Sequence, residues 1–378
     1  MKALIKKIVP AGIWDHLSTI RQGLKRANVT HPTGALDPFK GKDTFVMVVG
    51  PSFDQNRPNA MMTCRMGYCR AFEGLGIPYL IADVRDVADL IQRLPNPIVM
   101  YFAGDLEFLP PHHIPILQPF PSAVWVYPWF SDSQRFFISH GLDPKTWTLS
   151  ASTIGKIRSL SPCLGFTATV PSGLHFFEGW ERCGIPVKSF PLACDTHIYQ
   201  SAPDTIPDFE NVPLGFVGGY WPSKGGEIDR YLRQFESRLR IYGYNKWPYS
   251  GYRGQLPVEY ESSFYRQARV SPVINEPTVA LLKGQINERV FKVLGSWGCP
   301  VVDAVPVYRE LYAEEELLVS DGPEHFAELV ERLLNDEEMN CAYRKKGHKA
   351  TLERHTYEHR AVTLIAQLGL GAGHRIQV

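Results

Sequence analysis

Short apolar runs recur along this chain at intervals that leave room for one helix between each pair. TFVMVV (44–49), PYLIAD (78–83), PIVMYF (97–102) and SAVWVY (122–127) lack polar alternation, as strands covered on both faces do. Positions 59–74 read as a helix with Gly74 and Gly76 near its end. Strand, helix and strand at that spacing make a βαβ unit, and such units build parallel sheets. The theme continues through LGFTATV (164–170), a helix over 174–183 and PVKSFPLA (186–193). Residues 196–212 are polar, hold two prolines and show no periodicity, which reads as an interdomain linker. The alternation then restarts. Strands are expected at 213–219, 240–244, 270–275, 300–303 and 317–321, with helices at 227–238, 258–267 and 286–297. Two last helices are expected over 323–335 and from 338 to about 369. The fold class is therefore α/β: two doubly wound, Rossmann-like domains facing a cleft. The expected boundaries are an extension over 1–42, a first domain over 43–195, the linker, a second domain over 213–345, and a C-terminal helix and tail over 346–378. Ligands of such sheets sit at the carboxyl ends of the strands.

Composition narrows this little but excludes much. The chain has 378 residues, 44% hydrophobic and 21% charged, with a formal net charge of +1. That apolar share rules out a disordered or collagenous chain, and the balanced charge argues against a dedicated nucleic-acid binder. Seven cysteines, odd in number and without CxxC spacing, speak against structural zinc or a disulfide framework and for a reducing cytoplasm. No apolar run approaches the roughly 18 residues of a membrane-spanning helix. The first 27 residues have a bias of their own: Lys2, Lys6, Lys7, Arg21, Lys25 and Arg26 against Asp15 alone. Ile13, Trp14, Leu17, Ile20 and Leu24 fall on one helical face. This suits either peripheral association with the inner face of a membrane through residues 1–27, or docking of the helix on its own domain.

Familiar chemical motifs are largely missing. There is no Walker loop, no Gly-x-Ser-x-Gly elbow, and no third glycine after Gly74-Leu75-Gly76. His355 and His359 lack the glutamate placement of a zincin helix, and no DxD pair suited to a divalent ion occurs, so no metal is expected. Two segments in the second half carry more. Gly218 and Gly219 end an apolar run, and Lys224 follows six residues after Gly218. A glycine turn of this kind permits close backbone approach to a diphosphate. Glu288, Arg289 and Lys292 then open a helix whose amide dipoles favour anions. On the first-domain side, Asp54 and Asp132 follow strand ends and are candidates to bind acceptor hydroxyls or act as base. Trp129 offers an aromatic face for an acceptor sugar ring.

The segments FVGGYWPSKG, ERVFKVLGSWGCPVVD and the run from Leu317 through His355-Thr356-Tyr357-Glu358-His359-Arg360 resemble the C-terminal half of group-1 glycosyltransferases, with the CgeB-like branch as the nearest likeness. The resemblance spans roughly residues 213–360, and PLACDTHIY (191–199) is similar to the family's end of the first domain. It implies a GT-B fold whose C-terminal helices pack across to the first domain, and a nucleotide-sugar donor held by the second. By similarity Lys224 pairs with the donor diphosphate and Arg289 makes a second phosphate contact. Gly219 stands where the family has an arginine. Lys292 stands where it has a glutamate for the ribose hydroxyls, and a lysine cannot accept hydrogen bonds. Three outcomes follow: Glu288 takes the ribose, Lys292 joins the diphosphate clamp, or transfer is lost. The implied activity is metal-independent, retaining sugar transfer to a glycan, lipid-linked or protein acceptor in polysaccharide or glycoconjugate synthesis. No cofactor is implied beyond the donor substrate. The alternatives are a non-catalytic GT-B scaffold that binds nucleotide-sugar or glycan, and a nucleotide-sugar epimerase.

Overall fold

Strand β1 (Asp43–Val49) is buried at every position after Asp43, which requires a parallel neighbour on each side and helices on both faces. The computed structural model, which describes residues 26–28, 39, 41–54, 60–201, 209 and 211–370, supplies both. Helix α1 (Ala60–Gly74) follows β1 and leads to β2 (Tyr79–Asp83). Then come β3 (Asn96–Phe102), β4 (Ser122–Trp125), helix α2 (Ala151–Leu160), β5 (Leu164–Thr167) and β6 (Val187–Ser189). They form one six-stranded sheet in the order β2-β1-β3-β4-β5-β6, parallel throughout.

The second domain repeats the plan. Its main elements are β7 (Leu214–Val217), α3 (Pro222–Leu232), β8 (Leu239–Tyr242), α4 (Glu261–Gln267), β9 (Ser271–Val273), α5 (Arg289–Gly295), β10 (Pro300–Val302), β11 (Leu318–Val319) and α6 (Pro323–Asn335). A parallel bridge between Leu214 and Val270 joins the β7–β8 pair to β9. The strand order is then β8-β7-β9-β10-β11, the same winding as β2-β1-β3-β4-β5. Each sheet reverses direction beside its first strand, and that crevice is where α/β sheets bind ligands.

Two helices come last among the described residues, α7 (Glu337–Arg354) and α8 (Tyr357–Gln367). The first crosses the expected domain boundary at 345/346 without a break, because Gly347 packs directly against Leu294 and the Glu316 carbonyl. The break falls at His355 and Thr356, where Cys194 and Thr356 form a bridge. From there α8 returns to the first domain. Tyr357, Ala361, Leu364 and Ile365 join its core, and the Tyr357 ring leaves no room for a side chain at Gly67. The expected helix over 174–183 is instead a 3-10 segment, Pro171–Phe177, followed by one helical turn, Glu178–Glu181. Part of the expected linker, Thr196–Tyr199, is helical.

The two domains touch directly. The Val170 amide donates to the Gly284 carbonyl at 2.8 Å, and the Ser172 amide to Glu310 at 3.2 Å. Gly173 lies so close to Lys283 that a Cβ there would stand 2.4 Å from its carbonyl oxygen. Among the described residues no helix is long and apolar enough to cross a membrane. Of the expected membrane segment, residues 1–27, all but Arg26 and Ala27 lie outside them. Arg26 pairs with Asp86, and the Ala27 amide donates to Asp83 at 2.8 Å, both on the first domain.

Candidate functional site

At the crevice of the second sheet, four elements converge on two cations. Arg289 opens α5 and reaches back so that its Nε donates to the Val217 carbonyl at 2.8 Å, at the tip of β7. Its guanidinium lies 4.2 Å from the centre of the Phe216 ring and so close to Gly218 that a Cβ there would stand 2.4 Å from Nη2. Arg289 is only 8% exposed, and its buried Nη1 meets no acceptor among the described residues. A buried donor without a partner costs free energy, which a ligand oxygen would recover.

Lys224 was expected in a loop. It lies in the first turn of α3, which starts five residues before the expected 227 because Pro222 occupies the first helical turn. The lysine is 2% exposed and its Nζ donates to Glu276 Oε1 at 2.8 Å. Burial, with the nearby Arg289 charge, lowers its ammonium to about 8, against the opposing pull of Glu276. Behind it, Asp303 takes hydrogen bonds from the amide and side chain of Asn275 at the tip of β9. Burial raises this carboxyl to about 6. Tyr308 ties the same Asn275 to the backbone of Asn287, just before Arg289.

Glu288 and Lys292 form a cluster of their own. Thr63 of α1, in the first domain, donates its hydroxyl to both Glu288 oxygens at 2.7 and 2.8 Å. Lys292 Nζ sits 3.2 Å from Glu288 and 3.8 Å from Glu261, whose other contact is the Tyr199 hydroxyl at 2.8 Å. Burial alone would lower the Lys292 ammonium, but these two carboxylates outweigh it and raise it. The pair thus links both domains and the segment between them, with Glu288 turned toward Thr63 and Lys292.

In the first domain a cavity of about 880 Å³ opens at the carboxyl ends of β1, β3 and β4. Arg65 and Asp105 form a buried ion pair on its wall, with the guanidinium 4.1 Å from the centre of the Phe102 ring. Asp105 stands against Gly50, where a Cβ would come within 2.5 Å of its Oδ1, so it occupies the crevice between β1 and β3. Burial raises its carboxyl, and Arg65 opposes the shift.

Residues 227–366 match the glycosyl transferase-like family. OtsA matches with a TM-score of 0.56 at 11% identity, over 87% of this chain and 99% of that one. The β-glucosyltransferase of phage T4, in complex with UDP and Mn²⁺, matches with a TM-score of 0.52 at 10% identity, over 86% and 97%. The α,α-trehalose 6-phosphate synthase of Burkholderia multivorans matches with a TM-score of 0.51 at 13% identity, over 83% and 77%. No curated protein sequence matches the chain. The chain has the GT-B fold of these solved structures, and its residues 227–366 carry the likeness to the glycosyl transferase-like family.

Within this fold the sequence-derived residues separate into three groups. Lys224, Arg289, Gly218 and Gly219 lie together around the tip of β7. Glu288 and Lys292 form the interdomain pair. Trp129 lines the first-domain cavity, but Asp54 and Asp132 do not. Asp54 is bonded to Asn28 at 2.9 Å, and Asp132 is an exposed residue in left-handed conformation (φ 57°) before a short helix. Arg65, Asp105, Glu276 and Asp303 carried no motif. Position after a strand end was the one signal available for Asp105, Glu276 and Asp303, and many other polar residues share it; Arg65, inside α1, had none.

Proposed function

We propose that this protein transfers a sugar from a nucleotide-sugar donor to a hydroxyl-bearing acceptor, a glycan or a lipid-linked or protein acceptor. The donor diphosphate lies at Arg289 and Lys224, and the acceptor enters the first-domain cavity. The observation that carries this is the buried Arg289 guanidinium, fixed on Val217 and Phe216 with Nη1 unpartnered and a second buried cation beside it. Two desolvated cations at a crevice exist at a cost to stability, and a diphosphate compensates both. The complexes of the T4 β-glucosyltransferase with UDP, and of a mutant form of that enzyme with UDP-glucose, make a UDP-sugar the first donor to try.

In the reaction the bond between the sugar's anomeric carbon and the diphosphate oxygen breaks, and its electron pair stays on the diphosphate. Arg289 and Lys224 stabilise that charge as it develops. A new bond forms from the acceptor oxygen to the anomeric carbon, and the acceptor proton passes to the departing diphosphate. Asp105, which lines the first-domain cavity, would orient that hydroxyl. The test is release of nucleoside diphosphate from UDP-, GDP- and TDP-sugars, with and without simple glycosides. We expect release from one donor, and its loss by at least tenfold in Arg289→Ala. Binding without any release would favour the scaffold, and an epimerised donor the epimerase.

A further inference from the structure

Gly219, where the family resemblance leads one to expect an arginine, has a neighbour that explains the glycine. A Cβ on Gly219 would stand 2.5 Å from Cζ2 of Trp221, so the indole covers the backbone from which the arginine side chain would start. Trp221 is nevertheless 45% exposed. At the tip of the adjacent strand β8, Tyr244 is 47% exposed. Among the described residues three large aromatic side chains are exposed, Trp221, Tyr244 and Trp297, and two of them stand at neighbouring strand tips.

The backbone holding both rings is fixed. The Gly218 amide donates to the Tyr242 carbonyl at 2.9 Å, and the Trp247 indole to the Gly218 carbonyl at 3.0 Å. Asn245 bonds both the amide and the carbonyl of Tyr220. A Cβ at Gly243 would lie 2.1 Å from the Gly218 oxygen, so the two tips are in backbone contact. Aromatic side chains nearly half exposed on a backbone so bonded can receive another flat ring at little conformational cost.

The location says which ring. Trp221 precedes the buried Lys224 by one helical turn, and Gly218 touches the Arg289 guanidinium. Tyr244 is within electrostatic reach of Glu261, Lys292 and Glu288, on the side where α4 and α5 meet the cleft. A nucleoside attached to a diphosphate at Arg289 and Lys224 would leave that clamp beside these two tips, since Gly218 adjoins both the Arg289 guanidinium and Gly243. We propose that Trp221 and Tyr244 form the stacking surface for the donor's nucleobase, and that position 219 is glycine so that the Trp221 ring can lie where it does. This rests on the donor reading above.

The experiment compares two probes, UDP and inorganic pyrophosphate, by calorimetry on the full chain. Base stacking on an aromatic side chain makes about a tenfold or larger difference on truncation to alanine. Trp221→Ala and Tyr244→Ala should therefore weaken UDP by about tenfold each and leave pyrophosphate unchanged, with Trp221→Phe close to wild type. UDP should also quench tryptophan fluorescence in the wild type but not in Trp221→Ala. Wild-type affinity for UDP in both alanine variants overturns the proposal. So does an equal loss of UDP and pyrophosphate, which would make Trp221 a support of the turn. If Trp221→Ala fails to fold, the exposed Tyr244→Ala and the conservative Trp221→Phe decide. Wild-type protein that binds neither probe would contradict the donor reading itself.

Discussion

A lysine ammonium buried as deeply as that of Lys224 is held away from water, and folding bears part of the cost. Its amine titrates near 8 in the folded chain against 10.5 for an ordinary lysine. Between those values the unfolded chain binds a proton that the folded one does not, so stability rises with pH across that window. Below about pH 8 the fold carries the whole penalty, about 3 kcal/mol. Lys224→Met should therefore raise the melting temperature by a few degrees at pH 7 while nucleoside-diphosphate binding falls. Its advantage over wild type should shrink toward pH 10. Thermal melts at pH 7 and 9.5 check this, and a lower melting temperature at pH 7 would show that the Glu276 contact outweighs desolvation. At this scale the sequence made the cations legible, because Lys224 and Arg289 stand in recognisable segments. Glu276, Asp303, Arg65 and Asp105 were not legible. Each comes from a different strand tip or helix, and only the parallel winding of the sheets brings them to their partners.

Helix α5 is seven residues long, too short to be stable alone, and is held by what its side chains meet. Lys292 is the central one, since it neutralises Glu288 and Glu261 in a buried site. Lys292→Ala leaves two buried carboxylates without a cation and should cost about 3–5 kcal/mol. Lys292→Glu, which restores the residue of the family resemblance, should cost more. The raised ammonium of Lys292 keeps its stabilising contribution intact below 10.5, losing it only as pH passes through the folded value. Burial already raises Glu288, and without Lys292 its charged form is penalised further. The deficit of Lys292→Ala should therefore be larger at pH 8 than at pH 5, where protonation of Glu288 relieves part of it. Urea unfolding at the two pH values measures it, and a deficit independent of pH would place the cost elsewhere. The elements themselves were unevenly legible. The helix over 323–335 is where its apolar period put it. The continuous helix expected from 338 breaks at His355, whose Nε2 bonds the Leu311 carbonyl at 2.9 Å while Thr356 caps α8. Apolar periodicity carries no sign of a tertiary hydrogen bond of that kind.

The whole molecule sets two sheets of the same winding against each other, and each presents its crevice with buried charge. The second-domain crevice holds Arg289 and Lys224, and the first-domain crevice holds Arg65 and Asp105. Contacts through Thr63–Glu288, Val170–Gly284 and Ser172–Glu310 keep the domains together, and α8 returns from the second domain to the core of the first. This architecture was readable from alternating strands and helices. The domain contacts were not, because backbone approaches such as Gly173 to Lys283 leave no periodic trace. The central claim is that the cations of the second domain bind the diphosphate of a nucleotide-sugar. Calorimetric titration of UDP into wild type, Arg289→Ala and Lys224→Ala tests it most directly. Each variant removes a charge-assisted contact worth about 1.5–3 kcal/mol, so each should bind about 10- to 150-fold more weakly at pH 7. Variants that bind UDP as tightly as the wild type would contradict the account.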